Sequence, residues 1–214
     1  MREHHVWRLI RQARRDTRDH LAGTRDRHSC LPTVSGWTAL SFLGKSLQDR
    51  PLADVVAFQH LLIRIHRRAY RWDLWLAFGI ALGGADEDRF DDCICWLVLR
   101  GRRAFARVLI DPDTLAGMDL GPMEVSGSGG LATLTHEVLV PGGGEALSRW
   151  QDEWLHDVVG SIPPAGPPLG DPPPQDLAAA RRRFPKLAAR HLPPEQADPI
   201  GPLIRHDFPV GRAR

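Results

Sequence analysis

Apolar residues recur at helical spacing through the first half of the chain. Val6, Leu9 and Ile10 lie on one face of the first such segment, and Leu52 and Val55 open a longer one. A period near 3.6 residues predicts amphipathic helices, because every third or fourth side chain then points to the same side. The segments that this pattern predicts to be helical are residues 3–20, 37–47, 52–66, 70–82, 87–100 and 102–110.

Glycines and an acidic residue mark the ends of these helices. Gly83 and Gly84 end the helix over residues 70–82, and Gly101 ends the next one. Asp86 stands where it can cap the following helix, whose acidic first turn suits the positive end of the helix dipole. The helix over residues 70–82 is apolar on nearly every side, so we expect other helices to surround it.

The pattern weakens after residue 110. Residues 111–113, Asp-Pro-Asp, predict that the helix over residues 102–110 ends and that a new element begins. The apolar and polar residues of 131–140 alternate too imperfectly to choose between a strand and a short helix. Residues 146–159 are predicted to be helical, with Trp150 and Trp154 on the same face. We therefore expect helices, and no sheet, in this part of the chain.

Proline and glycine dominate residues 162–174, which can follow a surface in extended conformation but cannot form a regular element. Asp176 is placed to cap a last helix over residues 177–187. The predicted fold class is mostly α, a single-domain helical bundle. Its predicted parts are a helical domain over residues 1–192 with a core at 37–160 and a Pro/Gly-rich strap at 161–175, and then a loose, flexible tail at 193–214.

Length and composition agree with one globular domain. A chain of 214 residues can bury one sizeable core. The fractions of hydrophobic residues, 43%, and of charged residues, 25%, exclude disorder throughout. The net charge is only +2, but Lys45 and Lys186 are the only lysines among 28 basic residues. Arginine forms the better fork for carboxylate or phosphate, although the base composition of the gene explains the same preference.

The sequence predicts a cytoplasmic protein. Residues 1–18 are dense in Arg and His and do not resemble a secretion signal. The three cysteines are an odd number, which argues against a disulfide framework. The longest apolar stretch, residues 74–82, is far below the roughly 20 residues that a membrane-spanning helix needs, so no membrane span is expected.

The richest chemistry lies between Tyr70 and Trp75. This stretch holds the only tyrosine, two of the seven tryptophans and the couple Arg71 and Asp73. If Asp73 points inward, it needs Arg71, Arg102 or another cation beside it, because an unpaired buried carboxylate is costly. The candidate binding residues are therefore Tyr70, Arg71, Asp73, Trp75 and Arg102.

Two interpretations of this cluster are open. Its Arg/Asp pair and aromatic side chains could line a ligand pocket, as such groups do in many clefts. The alternative is a structural network that locks one helix to another, and this is favoured because buried aromatic residues with polar handles usually serve packing.

Other candidate sites are weaker. Residues 86–92 hold an acidic run that could join Asp111 and Asp113 around a hard cation, but the spacing of a calcium-binding loop is missing and helix-start acids explain the run. Cys93 and Cys95 diverge on a helix and predict buried structural thiols, while Cys30 in a polar loop is the better candidate for a reactive thiol. No metal, cofactor or catalytic residue is predicted.

A basic run, Arg181 to Arg183 with Lys186 and Arg190, could touch phosphates. No recognition-helix motif or aromatic stacking platform accompanies it, so a solvated helix face is favoured over a nucleic-acid surface.

One set of motifs lies in the middle of the chain: the run Ala69-Tyr70-Arg71-Trp72-Asp73-Leu74-Trp75, Gly83-Gly84, Phe90, Trp96-Leu97, Gly101-Arg102, Asp111-Pro112-Asp113 and Leu115. With these motifs the chain resembles a bacterial family known as domain of unknown function 4240, and molybdate metabolism regulator-like proteins carry a similar domain. The resemblance extends more faintly toward both ends, to Val6-Trp7 and to Phe184-Pro185. It implies a helical fold and supplies no catalytic assignment.

The first functional hypothesis is a noncatalytic binding protein, regulatory or accessory to a bacterial gene cluster, whose partner is a protein or a small-molecule ligand. It depends on the abundance of apolar helical pattern beside the absence of catalytic motifs. The second is a small-molecule tailoring enzyme with a pocket around Asp73, where the carboxylate acts as acid or base and arginine holds an anionic substrate.

Overall fold

The computed structural model of the chain is built almost entirely from helices. It describes residues 1–24, 35–139, 166–172, 176–192 and 203–205. Within these ranges there is no β-strand, and β-pairing is confined to two isolated bridges. The mostly α fold that the hydrophobic pattern predicts is confirmed.

Helices α1 to α8 lie between residues 3 and 139, and α9 and α10 lie near the C terminus. Two 3-10 helices, Pro112–Gly117 and Gly129–Leu131, separate α6 from α7 and α7 from α8. The bounds are α1 Glu3–Thr24, α2 Ser35–Gln48, α3 Leu52–Ala69, α4 Trp72–Leu82, α5 Glu87–Leu99, α6 Arg102–Ile110, α7 Pro122–Ser126, α8 Leu134–Leu139, α9 Leu177–Arg183 and α10 Pro185–His191.

Helix α4 lies at the centre of the core. Eight of its eleven residues are buried, as expected for a helix that is apolar on nearly every side. It ends at Gly83, whose φ of 72° is the left-handed conformation that favours glycine. Asp86 then caps α5 by accepting a hydrogen bond from the backbone N–H of Arg89 at 2.9 Å. The predicted end of α4 and start of α5 are confirmed.

The single helix predicted over residues 177–187 is two helices, so this prediction was wrong. Helix α9 ends at Arg183 and α10 begins at Pro185. Proline has no N–H to donate to a preceding turn, and its ring disfavours helical geometry at the residue before it. Phe184 accordingly has φ −131° and ψ 70°, outside the helical region.

The described part of the strap crosses the start of α4. The backbone N–H of Leu169 donates to the carbonyl of Tyr70 at 2.8 Å, and the N–H of Trp72 donates to the carbonyl of Leu169 at 3.2 Å. Residues 166–172 thus pair with the chain where α3 gives way to α4.

Two residues within the predicted tail, Leu203 and Ile204, pack against the helices. Leu203 and Ile204 are 6% and 3% exposed. Ala85 donates its N–H to the carbonyl of Leu203 at 3.1 Å and accepts one from Arg205 at 3.0 Å. A Cβ on Gly79 would lie 2.2 Å from the carbonyl oxygen of Leu203, so the absent side chain makes this contact possible.

Two sequence predictions, the helix over residues 146–159 and the reactive thiol of Cys30, lie outside the described residues. Residues 131–140, for which the pattern left two alternatives, contain α8. Among the helices that the structure describes, none combines the length and the apolar character that a membrane crossing requires.

Candidate functional site

Tyr70 and Trp75, two of the predicted site residues, are buried where α3, α4 and α5 meet. The hydroxyl of Tyr70 donates to a carboxylate oxygen of Glu87 at 2.8 Å. The indole N–H of Trp75 donates to the carbonyl of Ala85 at 3.0 Å, and its ring stacks on Phe90 with centroids 4.8 Å apart. Burial, and then the bond to Glu87, raise the pKa of Tyr70 well above its usual range, so the phenol stays protonated.

Arg71 and Asp73 form the ion pair that the sequence predicts for an inward-pointing carboxylate. The guanidinium of Arg71 and the carboxylate of Asp73 meet in a two-point contact. The Nε of Arg71 donates to Asp73 Oδ1 at 2.9 Å, and a terminal nitrogen of Arg71 donates to Oδ2. The other terminal nitrogen donates to the carbonyl of Leu109 at 3.0 Å. Asp73 also accepts the backbone N–H of Leu74 at 2.8 Å, at the first turn of α4.

Arg102, the fifth predicted residue, does not join the other four. Its side chain is exposed on α6, and its charge acts on Glu3. Burial raises the pKa of Glu3, while hydrogen bonds from Trp7 and Arg68 and the charges of Arg68 and Arg102 lower it overall.

The cluster around Asp73 therefore consists of polar groups that already bind one another. Its carboxylate, guanidinium, phenol and indole groups all have partners from neighbouring elements. Such an arrangement joins the start of α4 to α5 and to α6, and it leaves these groups few free donors or acceptors for a ligand. The geometry supports the structural interpretation of this cluster over the pocket.

A different site combines several arginines with a buried N–H that has no hydrogen-bond partner among the described residues. A cleft of about 330 Å³ lies between α1, α2, the end of α5 and α7. We call it the arginine cleft, and its polar walls are formed by Arg14, Thr17, Arg18, Arg100, Glu124 and Ser128, with the indole of Trp96 beside them. Its volume lies at the lower end of the range for small-molecule sites, about 300–1,000 Å³.

Local structure brings the three arginines to one cleft. Arg14 and Arg18 are four residues apart on α1, so their side chains share a face. Arg100 follows the last residue of α5, where the negative end of the helix dipole favours a cation. Its guanidinium lies over the ring of Trp96, 4.8 Å from the centroid.

Trp96 contributes a donor without an acceptor. Its side chain is 1% exposed, and its indole Nε1 has no hydrogen-bond partner within the described part of the chain. A buried N–H that lacks a partner costs about 1–3 kcal/mol. An acceptor that entered the cleft and reached this group would remove the cost, which makes Trp96 the residue most indicative of a ligand.

Arg14 is half-buried, whereas Arg18 is exposed. Burial, and then the charges of Arg100 and Arg18, lower the pKa of its guanidinium. A Cβ on Gly101, whose φ is 92°, would lie 2.6 Å from a terminal nitrogen of Arg14. The missing side chain at Gly101 therefore gives Arg14 its place, and an anion beside it would relieve the repulsion among the cations.

A second basic cleft, of about 690 Å³, lies between the start of α1, α3 and the strap. Its arginines are exposed, and one of them, Arg68, already pairs with Glu3 at 2.8 Å. It has no counterpart of the half-buried Arg14 or of the unpartnered indole of Trp96 among the described residues that line it. The arginine cleft is accordingly the better candidate.

Sequence reasoning missed the arginine cleft. Arg14 and Arg18 stand among the polar positions of an amphipathic helix, and such positions predict a solvated face. The structure corrects this expectation at Thr17, which lies between them in sequence and is 5% exposed, so that this side of α1 faces the protein. Cys93 and Cys95 are buried as predicted, and burial raises the pKa of both thiols.

Comparison with known proteins places this chain in a family. A model of the family described as "Protein of unknown function (DUF4240)" matches residues 1–134. The matched part includes α1 to α7 and all the described residues that line the arginine cleft. No curated protein and no solved structure matches the chain. Because the family model covers more than half of the sequence, the chain belongs to the protein family of unknown function DUF4240.

Proposed function

We propose that this protein binds a small anionic ligand in the arginine cleft and acts without catalysis, as a regulatory or accessory protein of the bacterial cytoplasm. The observation that carries the proposal is that three arginines line one cleft together with Trp96, whose buried indole N–H has no hydrogen-bond partner in the described part of the chain. The resemblance to molybdate metabolism regulator-like proteins supports the regulatory part, and molybdate is one anion to test.

The polar surface of the cleft favours a ligand that supplies hydrogen-bond acceptors. Thr17 donates its hydroxyl to the carbonyl of Ala13 at 2.8 Å, and Ser128 donates to the carbonyl of Glu124 at 2.7 Å. The hydroxyl hydrogens are thus already used, and the remaining donors belong to the arginines and to Trp96. A ligand rich in acceptor oxygens and carrying negative charge complements such a surface.

A thermal-shift titration tests the proposal. Phosphate, sulfate, molybdate and acetate are added to the purified chain at constant ionic strength, since salt alone screens surface charges. A ligand at 100 times its Kd stabilises the folded state by about 2.7 kcal/mol. For a chain of this size that corresponds to a rise in Tm of roughly 5–10 °C.

Two variants connect the shift to the cleft. Arg18→Gln removes a charge from the cleft, and Arg11→Gln removes the same charge from an exposed position on the same helix. We expect the shift to fall in Arg18→Gln and to persist in Arg11→Gln. Equal shifts in both variants, or no saturable shift with any anion, would rule out this function.

The alternative, a tailoring enzyme with a pocket around Asp73, receives less support from the geometry. Asp73 is held by Arg71 and by the N–H of Leu74, and its charge is already neutralised. If Asp73→Asn abolished turnover of a small molecule while the protein stayed folded, the enzyme hypothesis would replace the binding one.

A further inference from the structure

We infer that the ligand of the arginine cleft is a dianion with three or more acceptor oxygens, of the class of phosphate monoesters that carry a small apolar group. This inference rests on the proposed function and specifies its ligand. It follows from the charge, the donors and the apolar walls of the cleft.

The charge of the cleft favours two negative charges over one. Its described lining contains three cations, Arg14, Arg18 and Arg100, and one acidic residue, Glu124. A monoanion would leave an excess positive charge beside the half-buried Arg14, where cations already repel one another. A dianion matches the excess, and the low local dielectric around a partly buried group increases the preference.

The donors of the cleft favour more oxygens than a carboxylate has. Guanidinium groups come from α1 and from the residue that follows α5, and Trp96, whose buried indole N–H has no partner among the described residues, lines the cleft beside them. A carboxylate offers two oxygens in one plane. A phosphate monoester offers three terminal oxygens around a tetrahedral centre, and it carries between one and a half and two charges at about pH 7.

The remaining walls are apolar. Leu21, Ala22, Ala39 and Leu99 line the cleft beside the polar groups. Apolar surface of this kind gains free energy when an apolar group of the ligand covers it. The bound molecule therefore has an oxyanion end and a small apolar end, and phenyl phosphate is a simple probe of that class.

The matched control ligand is methyl phenyl phosphate, which keeps the ring and the phosphorus but carries a single charge. Titration calorimetry of the full chain at constant ionic strength measures both affinities. We expect phenyl phosphate to bind at least about tenfold more tightly at about pH 7.5. Its advantage should shrink as the pH falls through about 6, where the dianion takes up a proton.

The variants locate the preference. Arg18→Gln and Arg100→Gln each remove one positive charge from the cleft and should reduce the preference for phenyl phosphate, whereas Arg11→Gln should preserve it. Circular dichroism checks that each variant is folded. If the preference survived in both cleft variants, the dianion would not be bound here and the inference would be overturned.

The possible failures are distinguishable. Equal binding of both esters, lost in Arg18→Gln, would contradict the dianion inference and leave the anion-binding function intact. Failure of both esters to bind, together with no response to any inorganic anion, would contradict the function itself. Tight binding of acetate in place of both esters would support an anion site and overturn the phosphate monoester class.

Discussion

The carboxylate of Asp113 accepts the backbone N–H of Leu187 at 2.9 Å, across 74 positions of the chain. It also accepts the N–H of Lys186 at 3.1 Å, so one side chain caps the start of α10 from the 3-10 helix that follows α6. Asp113 is 5% exposed. The segment after the family match is thereby joined to the segment within it.

Loss of this cap should destabilise the protein more than loss of an exposed one. Asp113→Ala leaves two backbone donors without their charged acceptor, and we expect a cost of about 2 kcal/mol. Asp176→Ala removes an exposed cap that accepts one N–H, from Ala179, and should cost about 1 kcal/mol. Urea unfolding of both variants gives the comparison, and equal losses would refute the buried role of Asp113.

The pair of Arg71 and Asp73 should matter more than an exposed pair. Arg71→Met leaves the carboxylate of Asp73, which is 15% exposed, without its cation. A fully buried pair loses 3–5 kcal/mol on such a change, and because Arg71 is itself one-third exposed we expect about 2 kcal/mol. Arg68→Met breaks an exposed pair with Glu3 and should cost below about 1 kcal/mol. Comparable free energies of unfolding would contradict this assignment.

Several of these features follow from local sequence, and others do not. Gly83 and Asp86 were predictable as helix ends because left-handed φ and N-capping are properties of a few adjacent residues. The inward pairing of Asp73 was predictable because a buried carboxylate needs a cation, and Arg71 is two residues away. Arg102 was not excluded, since its distance from Asp73 depends on how α6 is oriented.

The arginine cleft depends on tertiary packing. Arg14 and Arg100 come from helices that are distant in sequence, and no local pattern states that α1 lies beside the end of α5. The same limit applies to Leu203, which lies against Gly79 although the composition of its surroundings predicts a loose tail.

The contact between Gly79 and Leu203 gives a further prediction. A methyl group at position 79 would lie 2.2 Å from the carbonyl of Leu203, so Gly79→Ala should displace residues 203–205 and cost about 2 kcal/mol. Gly44→Ala is the control within α2, where the new methyl would be 3.4 Å from Leu134. It should be neutral or stabilise the helix by up to about 1 kcal/mol. Thermal unfolding distinguishes the two, and an unaffected Gly79→Ala would show that the close approach is not required.

The raised pKa of Asp92 predicts that the stability of the protein depends on pH. Burial, and then the charges of Asp91 and Asp88, raise its pKa to about 6. The folded protein therefore holds this proton more tightly than the unfolded chain. The resulting stabilisation is present below 3.8, the ordinary pKa of an aspartate side chain, and is lost as the pH rises through about 6.

Asp92→Asn removes the ionised group and should stabilise the protein at about pH 8 by roughly 1 kcal/mol, a figure reduced because the side chain is only half-buried. The gain should shrink toward about pH 4, where the wild-type carboxyl is also neutral. Chemical unfolding at several pH values measures it, with Asp49→Asn as the control, because Asp49 is exposed and is not among the charges that raise the pKa of Asp92. A gain that is constant with pH would show that ionisation of Asp92 is not its cause.

The central claim, that the arginine cleft holds an anion, is tested most directly by the indole N–H of Trp96. In a proton–nitrogen NMR spectrum, assigned with Trp96→Phe, this signal should move saturably as phenyl phosphate is added, because the N–H gains an acceptor. The indole of Trp75, already bonded to Ala85, should stay in place. A Trp96 signal that remained unchanged, or moved only as it does with added chloride, would contradict the account.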